Sequence, residues 1–376
     1  MTLYIGLMSG TSLDGIDGVL VDFATPAGPP IEIRAHRHRP LNAALRDELL
    51  ALNTPGDNEL HRAALAANAL AREYTALVQS LLVDVALAPA DVRAIGAHGQ
   101  TVRHRPGEFD ATGYTLQLLN GALLAELAGI DAVCDLRSRD VAAGGQGAPL
   151  VPAFHAALFG QAGTARAVLN LGGIANLTLL GARGEVTGFD CGPANALLDA
   201  WCQRHRGTPY DDGGRWSASG HVIAPLLDAM LAATYFARRP PKSTGRDLFH
   251  VPWLDSLLSA HAPAAAAADV QATLAALTVA SVVNDLRRHA AATTQLLVCG
   301  GGAQNLHLMQ GLAAQLPGVR VTTTAAHGLD VNHVEAAAFA WLAQCFITRR
   351  SGSLPAVTGA RGPRMLGALY PAGAQT

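Results

Sequence analysis

The sequence predicts a two-domain α/β protein, and three observations carry that reading. At 376 residues the chain is long for one core of ordinary size. A strand, glycine-polar turn, strand pattern occurs twice, over residues 4–23 and again over 167–180, each time followed by a third strand and helices. Half of the residues are apolar, enough to bury layered sheets and helices.

In the opening hairpin, Tyr4, Gly6 and Met8 alternate with Ile5 and Leu7, and Gly10 and Gly15 permit a tight turn between the arms. That turn carries Ser9, Thr11, Ser12 and Asp14, groups suited to phosphate and metal-bound water. An ordinary reversal is the competing reading. Residues 31–35 alternate as a third strand, helical spacing follows over 42–52 and 59–86, and 94–97 is a short buried strand. Its polar exit holds His98 and Gln100, and sites in open α/β sheets favour that edge. A strand at 115–119, a helix at 122–128 and a strand at 132–135 precede Arg137 and Arg139, and the glycine-rich 144–150 reads as the hinge. The expected domains are therefore 1–140 and 141–346, with 347–376 packing back on the first.

The second half repeats the start with Gly172, Gly173 and Asn176 in its hairpin, a third strand at 186–190 and a helix at 193–206 opening on Pro193. Asp211 and Asp212 form a turn pair, and 240–246, with Lys242 and Arg246, reads as a mobile loop touching phosphate or only solvent. Residues 262–268 are a low-complexity surface connection, after which Asp269 is expected to cap a helix reaching about Arg287. A strand at 295–299, the turn at 300–305 with Gly301, Gly302 and Asn305, a helix at 306–316 and a last one at 335–346 complete the chain.

Only 15% of residues are charged and the net charge is -2, which gives no footprint for nucleic acid or an anionic membrane. Five scattered cysteines without a CxxC pair favour neither a disulfide framework nor structural zinc. No basic segment precedes an apolar run at the start, and no stretch nears ~18 uninterrupted apolar residues. The expectation is a cytoplasmic protein. The 300–305 turn lacks GxGxxG spacing, and GxxxxGK[ST] is absent, which disfavours the dinucleotide and P-loop folds.

The order of a Gly-Thr-Ser hairpin, a Leu-Gly-Gly hairpin and a strand-Gly-Gly-Gly turn resembles the actin-like ATPase superfamily, which includes Hsp70 chaperones and sugar kinases. Within it, the runs 6–15, 97–101, 140–152, 188–193, 241–246, 335–343 and 357–360 resemble the motifs of the anhydro-N-acetylmuramic acid kinase family nearly end to end. The resemblance implies two RNase H-like domains of the actin/Hsp70/sugar kinase type with an interdomain nucleotide cleft. It also implies a homodimeric, ATP- and Mg²⁺-dependent transferase of peptidoglycan recycling. That enzyme opens 1,6-anhydro-N-acetylmuramic acid with water and phosphorylates O6, giving N-acetylmuramic acid 6-phosphate. A kinase of another amino sugar, or a chaperone-like ATPase, is the alternative.

By that resemblance Asp190 is the catalytic base, against a helix-capping role. Ser9, Gly10, Thr11, Ser12, Gly15, Gly172, Gly173 and Asn176 hold the phosphates, and Gly301, Gly302 and Asn305 border the adenosine. Asp14 orients a metal-bound water or stabilises its own turn. For the sugar, Arg137 and Arg139 meet a carboxylate or pair with Asp135 or Asp140, Glu335 accepts a hydroxyl, and His98 and Gln100 line the pocket or bond locally.

Overall fold

The computed structural model describes residues 2–10, 13–23, 31–245 and 248–373. They divide into two compact units, Met1–Phe154 with His333–Thr376, and His155–Asn332.

The first unit begins as a meander of β1 (Leu3–Ser9), β2 (Gly15–Asp22) and β3 (Glu32–Pro40), all antiparallel. Helix α1 (Ala43–Ala51) follows, capped by the Asn42 side chain, which accepts from Leu45 N, and then α2 (Glu59–Asp84). Strand β4 (Ala94–Ala97) runs parallel to β1. The strand expected at 115–119 is β6 (Gly113–Leu118), which pairs with β5 (Gln100–Pro106) in a separate two-stranded ribbon. Helix α3 (Gly121–Ala128), β7 (Ala132–Cys134), parallel to β4, and α4 (Ser138–Ala142) close this part. The unit boundary falls within α5 (Val151–Phe159).

The second unit repeats the plan with β8 (Arg166–Leu171), β9 (Ile174–Leu180) and β10 (Val186–Pro193) as its meander. Helices α6 (Asn195–Arg206), α7 (Arg215–Ala218), α8 (Ala224–Leu231), α9 (Val251–His261) and α10 (Ala267–His289) follow. Strand β11 (Gln295–Cys299) lies parallel to β8, and after α11 (Leu306–Gln315), β12 (Arg320–Thr323) lies parallel to β11. The chain then returns to the first unit as α12 (Val334–Ile347), α13 (Pro355–Thr358) and β13 (Ala368–Tyr370), which pairs with β7.

Strand orders are β13-β7-β4-β1-β2-β3 and β10-β9-β8-β11-β12. In each unit the first strand of an antiparallel meander has two parallel strands on its other side, the RNase H-like arrangement. The internal repeat legible in the hairpins is thus a repeat of whole sheets. Each sheet buries a core of its own, with Ile5, Leu7, Leu20, Leu70 and Tyr74 in one and Leu169, Leu177, Leu274 and Val282 in the other.

Four sequence expectations differ from the structure. The 144–150 segment is tied inside the first unit, because Asp140 Oδ2 accepts from Gly147 N at 2.8 Å and Gln146 N donates to Thr358 O at 2.7 Å. The boundaries expected at 140/141 and 346/347 accordingly lie at 154/155 and 332/333. Pro193 ends β10 rather than opening α6, and Asp269 sits inside α10, where its Oδ1 accepts from His221 N at 2.7 Å. Helix α10 is long and apolar enough to cross a membrane by composition, yet it is mostly buried in its unit's core.

Helix α12 lies directly on the first sheet because two paired glycines let it. A Cβ on Gly6 would come 1.8 Å from Ala336 O, and one on the opposite Gly96 2.0 Å from Phe339 O. That contact fixes the first turn of α12, and with it Glu335, against the end of the β1–β2 hairpin.

Candidate active site

In the first unit the predicted residues gather at the C-terminal ends of β1 and β4. His98 Nδ1 donates to Ser9 O at 3.2 Å, and Nε2 accepts from Arg137 Nε at 3.1 Å and Nη2 at 2.9 Å, so the partners assign a neutral Nδ1–H tautomer. Burial, reinforced by the Arg137 charge, holds the His98 imidazolium down at about 3. Arg137 Nη1 donates to Gly147 O at 2.8 Å, and burial lowers the guanidinium to about 10 against the pull of Glu335 and Asp140. Glu335 is raised by burial and by Asp17 and Asp14, while Arg137 opposes that rise. Gln100 Nε2 donates to Gly10 O at 3.1 Å, and Gln100 Oε1 is buried without a hydrogen-bond partner among the described residues.

Several of these groups are committed to the protein itself. Ser9 Oγ is buried and donates to Gly99 O at 3.0 Å, with Tyr74 Oη 2.9 Å away, so its hydroxyl is used internally. Gly15 is required by packing, since a Cβ there would lie 2.8 Å from the backbone Arg39 O as well as against the His38 ring. Thr11 and Ser12 lie outside the described residues. Next to them Leu13 holds a φ of 59°, a conformation costing a branched side chain about 1 kcal/mol. Arg139 is exposed on α4 and does not join the His98–Arg137 cluster among the described residues. Asp14 is exposed at the mouth of the hairpin. Neither arginine pairs with Asp135 or Asp140: Asp135 accepts from Ser138 Oγ, and Asp140 from Gly147 N and Thr358 Oγ1.

The second unit builds its half from sheet register. Asn170, Asn176 and Asp190 face one another across β8, β9 and β10, three half-buried polar side chains in a row beside the Gly172–Gly173 turn. Asn170 escaped the sequence reading, although a lone amide at the end of the apolar strand 167–171 was the available signal. The pairing of β10 slips between Asp190 and Gly192, a bulge of the kind that re-aims a side chain. Asp190 Oδ2 accepts from Thr244 N at 3.0 Å, its own amide donates to Lys242 O at 3.1 Å, and its carbonyl accepts from Tyr235 Oη at 2.8 Å. Burial pushes the Asp190 carboxyl up to about 6, against the Thr244 amide and the Lys242 charge. Asp190 caps no helix; α6 begins after Ala194.

The glycines divide by what their neighbours demand. A Cβ on Gly302 would come 2.6 Å from Leu171 Cβ, so packing accounts for it. At Gly172, Gly173 and Gly301 the nearest atoms are 3.7, 3.6 and 3.9 Å away, so the unit itself does not require bare backbone there. Asn305 Oδ1 caps α11 by accepting from Leu308 N at 3.1 Å. Lys242 corrects its expectation: it is neither in solvent nor at phosphate but buried on Asp285 at 2.7 Å, while Arg246 lies outside the described residues. Asp211 and Asp212 are the turn pair expected, Asp211 accepting from Trp216 N and Ser217 N and Asp212 pairing with Arg215.

Two RNase H-like units with bare glycine turns at strand ends and the half-buried carboxylate of Asp190 are the fold and the strand-end groups on which nucleotide-dependent phosphotransferases are built. The profile of "Anhydro-N-acetylmuramic acid kinase" matches residues 2–372. Proteins of that name from Variovorax paradoxus (strain S110) and Bordetella pertussis (strain Tohama I) are 60% identical over 375 residues and 61% over 374. These alignments cover 98% of this chain in both cases and 99% and 96% of the relatives. The chain belongs to the anhydro-N-acetylmuramic acid kinase family. The two alternative activities are not favoured by these matches. Among solved structures, the activator of the 2-hydroxyisocaproyl-CoA dehydratase from Clostridium difficile with bound ADPNP is similar at a TM-score of 0.47 and 14% identity. That likeness covers 90% of this chain and 92% of the other.

Proposed function

We propose that the protein is an ATP-dependent kinase of cell-wall sugar recycling that converts 1,6-anhydro-N-acetylmuramic acid to N-acetylmuramic acid 6-phosphate. The observation that carries the mechanism is Asp190, half-buried at the bulge of β10 with its carboxyl near 6, poised to be a base at neutral pH. Its carboxylate takes a proton from water as the water oxygen bonds C1. The C1–O6 bond breaks, and O6 bonds the γ-phosphorus of ATP as ADP departs. The Thr244 amide keeps the carboxylate aimed.

Gly172, Gly173 and Gly301 fit a nucleotide, because their missing side chains leave room the unit does not need. Gly10, Thr11, Ser12 and Asn176 complete the phosphate contacts, and Gly302 and Asn305 border the adenosine through backbone. Among the described residues no group of three acidic, histidine or cysteine side chains is arranged to hold a metal ion, and the exposed Asp14 would orient one water of an ion held by the phosphates. Bound Mg²⁺ supplies neutralisation of phosphate charge. Arg137 receives the lactyl carboxylate with its remaining N–H groups, and Glu335, His98 and Gln100 contact the sugar.

A cytoplasmic homodimer completes the proposal; all five cysteines are buried and unbridged, as a reducing compartment permits. The test is ADP release with and without the anhydro sugar. Sugar-dependent turnover yielding the 6-phosphate supports the reading, and ATP hydrolysis indifferent to the sugar refutes it.

A further inference from the structure

The mechanism leaves a buried ion pair beneath Asp190 unused. Lys242 Nζ lies 2.7 Å from Asp285 Oδ2, with the two side chains 1% and 4% exposed. The ammonium also sits 5.0 Å from the Tyr235 ring centroid and 5.7 Å from that of Phe189, within cation–π reach of both. Desolvating two charges offsets most of their attraction, so such a pair is a poor device for stability alone. What it does here is fix a short strap. From that strap, 240–245, Lys242 O accepts the Asp190 amide at 3.1 Å and Thr244 N donates to the Asp190 carboxylate at 3.0 Å. Tyr235, which lies under the same ammonium, donates to the Asp190 carbonyl at 2.8 Å. Three of the groups that hold Asp190 therefore converge on one buried cation.

We propose that Lys242, locked by Asp285 of α10, is a positioning residue for the catalytic base: it anchors the strap whose backbone clamps the Asp190 peptide and carboxylate. The inference rests on the reading of Asp190 as the base. Among the described residues the charged and titratable groups around Asp190 are Lys242 on the strap, Tyr235 before it, Cys191 on its own strand, and Asp285 and His289 on α10, with Arg238 acting on Tyr235 and Arg239 and Arg288 on His289. Among the described residues Lys242 is the cation that acts on the Asp190 carboxyl, and it favours the ionised form.

The experiment compares wild type, Lys242→Met, the double variant Lys242→Met/Asp285→Asn and Asp190→Asn, each checked for folding by circular dichroism. The readouts are kcat against pH and KM for ATP with the anhydro sugar. Lys242→Met is expected to move the acid limb of kcat up by about one pH unit and lower kcat at neutral pH by about tenfold, with KM for ATP within about twofold. The double variant removes the stranded Asp285 charge and so decides the matter if Lys242→Met does not fold; it is expected to keep the loss in kcat. A folded Lys242→Met with the wild-type limb and kcat, or a folded double variant with wild-type kcat, overturns the proposal. An active Asp190→Asn overturns instead the reading of Asp190 as the base.

Discussion

Arg137 gives its Nε and Nη2 hydrogens to the unprotonated Nε2 of His98, 3.1 and 2.9 Å away, rather than to a carboxylate. The buried imidazole therefore stays neutral through the physiological range, its imidazolium held down at about 3. Nitrogen-15 NMR of the ring is expected to show the Nδ1–H tautomer unchanged from about pH 8 to 5, whereas an unperturbed histidine would titrate near 6.5. A midpoint inside that window contradicts the geometry.

Arg137→Met removes a charge-assisted contact from the proposed carboxylate subsite. Steady-state kinetics should show KM for the anhydro sugar up by about 10- to 100-fold, the worth of one hydrogen bond to a charged group, with KM for ATP little changed. Arg139→Met, changed at an exposed position on α4, is expected to leave both nearly untouched.

Asp190 is a base only when ionised, and burial sets that transition at about 6. The sign is fixed: kcat is full above the pKa and falls about tenfold per pH unit below it. Asp190→Asn should lower kcat by about 10³-fold or more while calorimetry finds ATP binding largely intact.

Two glycine substitutions should separate packing from ligand contact. Gly96→Ala forces a Cβ to within 2.0 Å of the α12 backbone and is expected to destabilise the protein by about 2 kcal/mol or more in chemical denaturation. Gly173→Ala meets nothing closer than 3.6 Å, so its stability should stay near wild type while ATP binding weakens.

His155 is buried against Thr178 Oγ1 at 2.9 Å, and burial depresses its imidazolium to about 3. A pKa depressed in the folded state contributes stability above about 6.5 that is lost as pH falls toward the folded value. Against His155→Gln, the wild type should lose about 1.4 kcal/mol per pH unit below 6.5; a difference independent of pH contradicts a neutral buried ring.

What the sequence made legible was local. The alternation in 4–8, the apolar run at 167–171, the glycine turns and the Ala- and Leu-rich helices predict both sheets, because period and turn chemistry act over a few residues. The hinge was misread because glycine richness marks a break only if nothing distant holds it, and here Asp140 and Thr358, 218 positions apart, do. Lys242 looked like a loop cation for the same reason, its partner being 43 residues away on α10. Asn170 became part of the site only once strand register set it beside Asn176.

The most direct measurement of the central claim is mass spectrometry of the sugar phosphate formed from 1,6-anhydro-N-acetylmuramic acid and ATP in ¹⁸O-water, with controls for exchange at the free anomeric centre. If water activated by Asp190 attacks C1 while O6 takes the phosphoryl group, the product carries one ¹⁸O at C1 and none in the phosphate ester bridge. Label absent from C1, or present at O6, contradicts it.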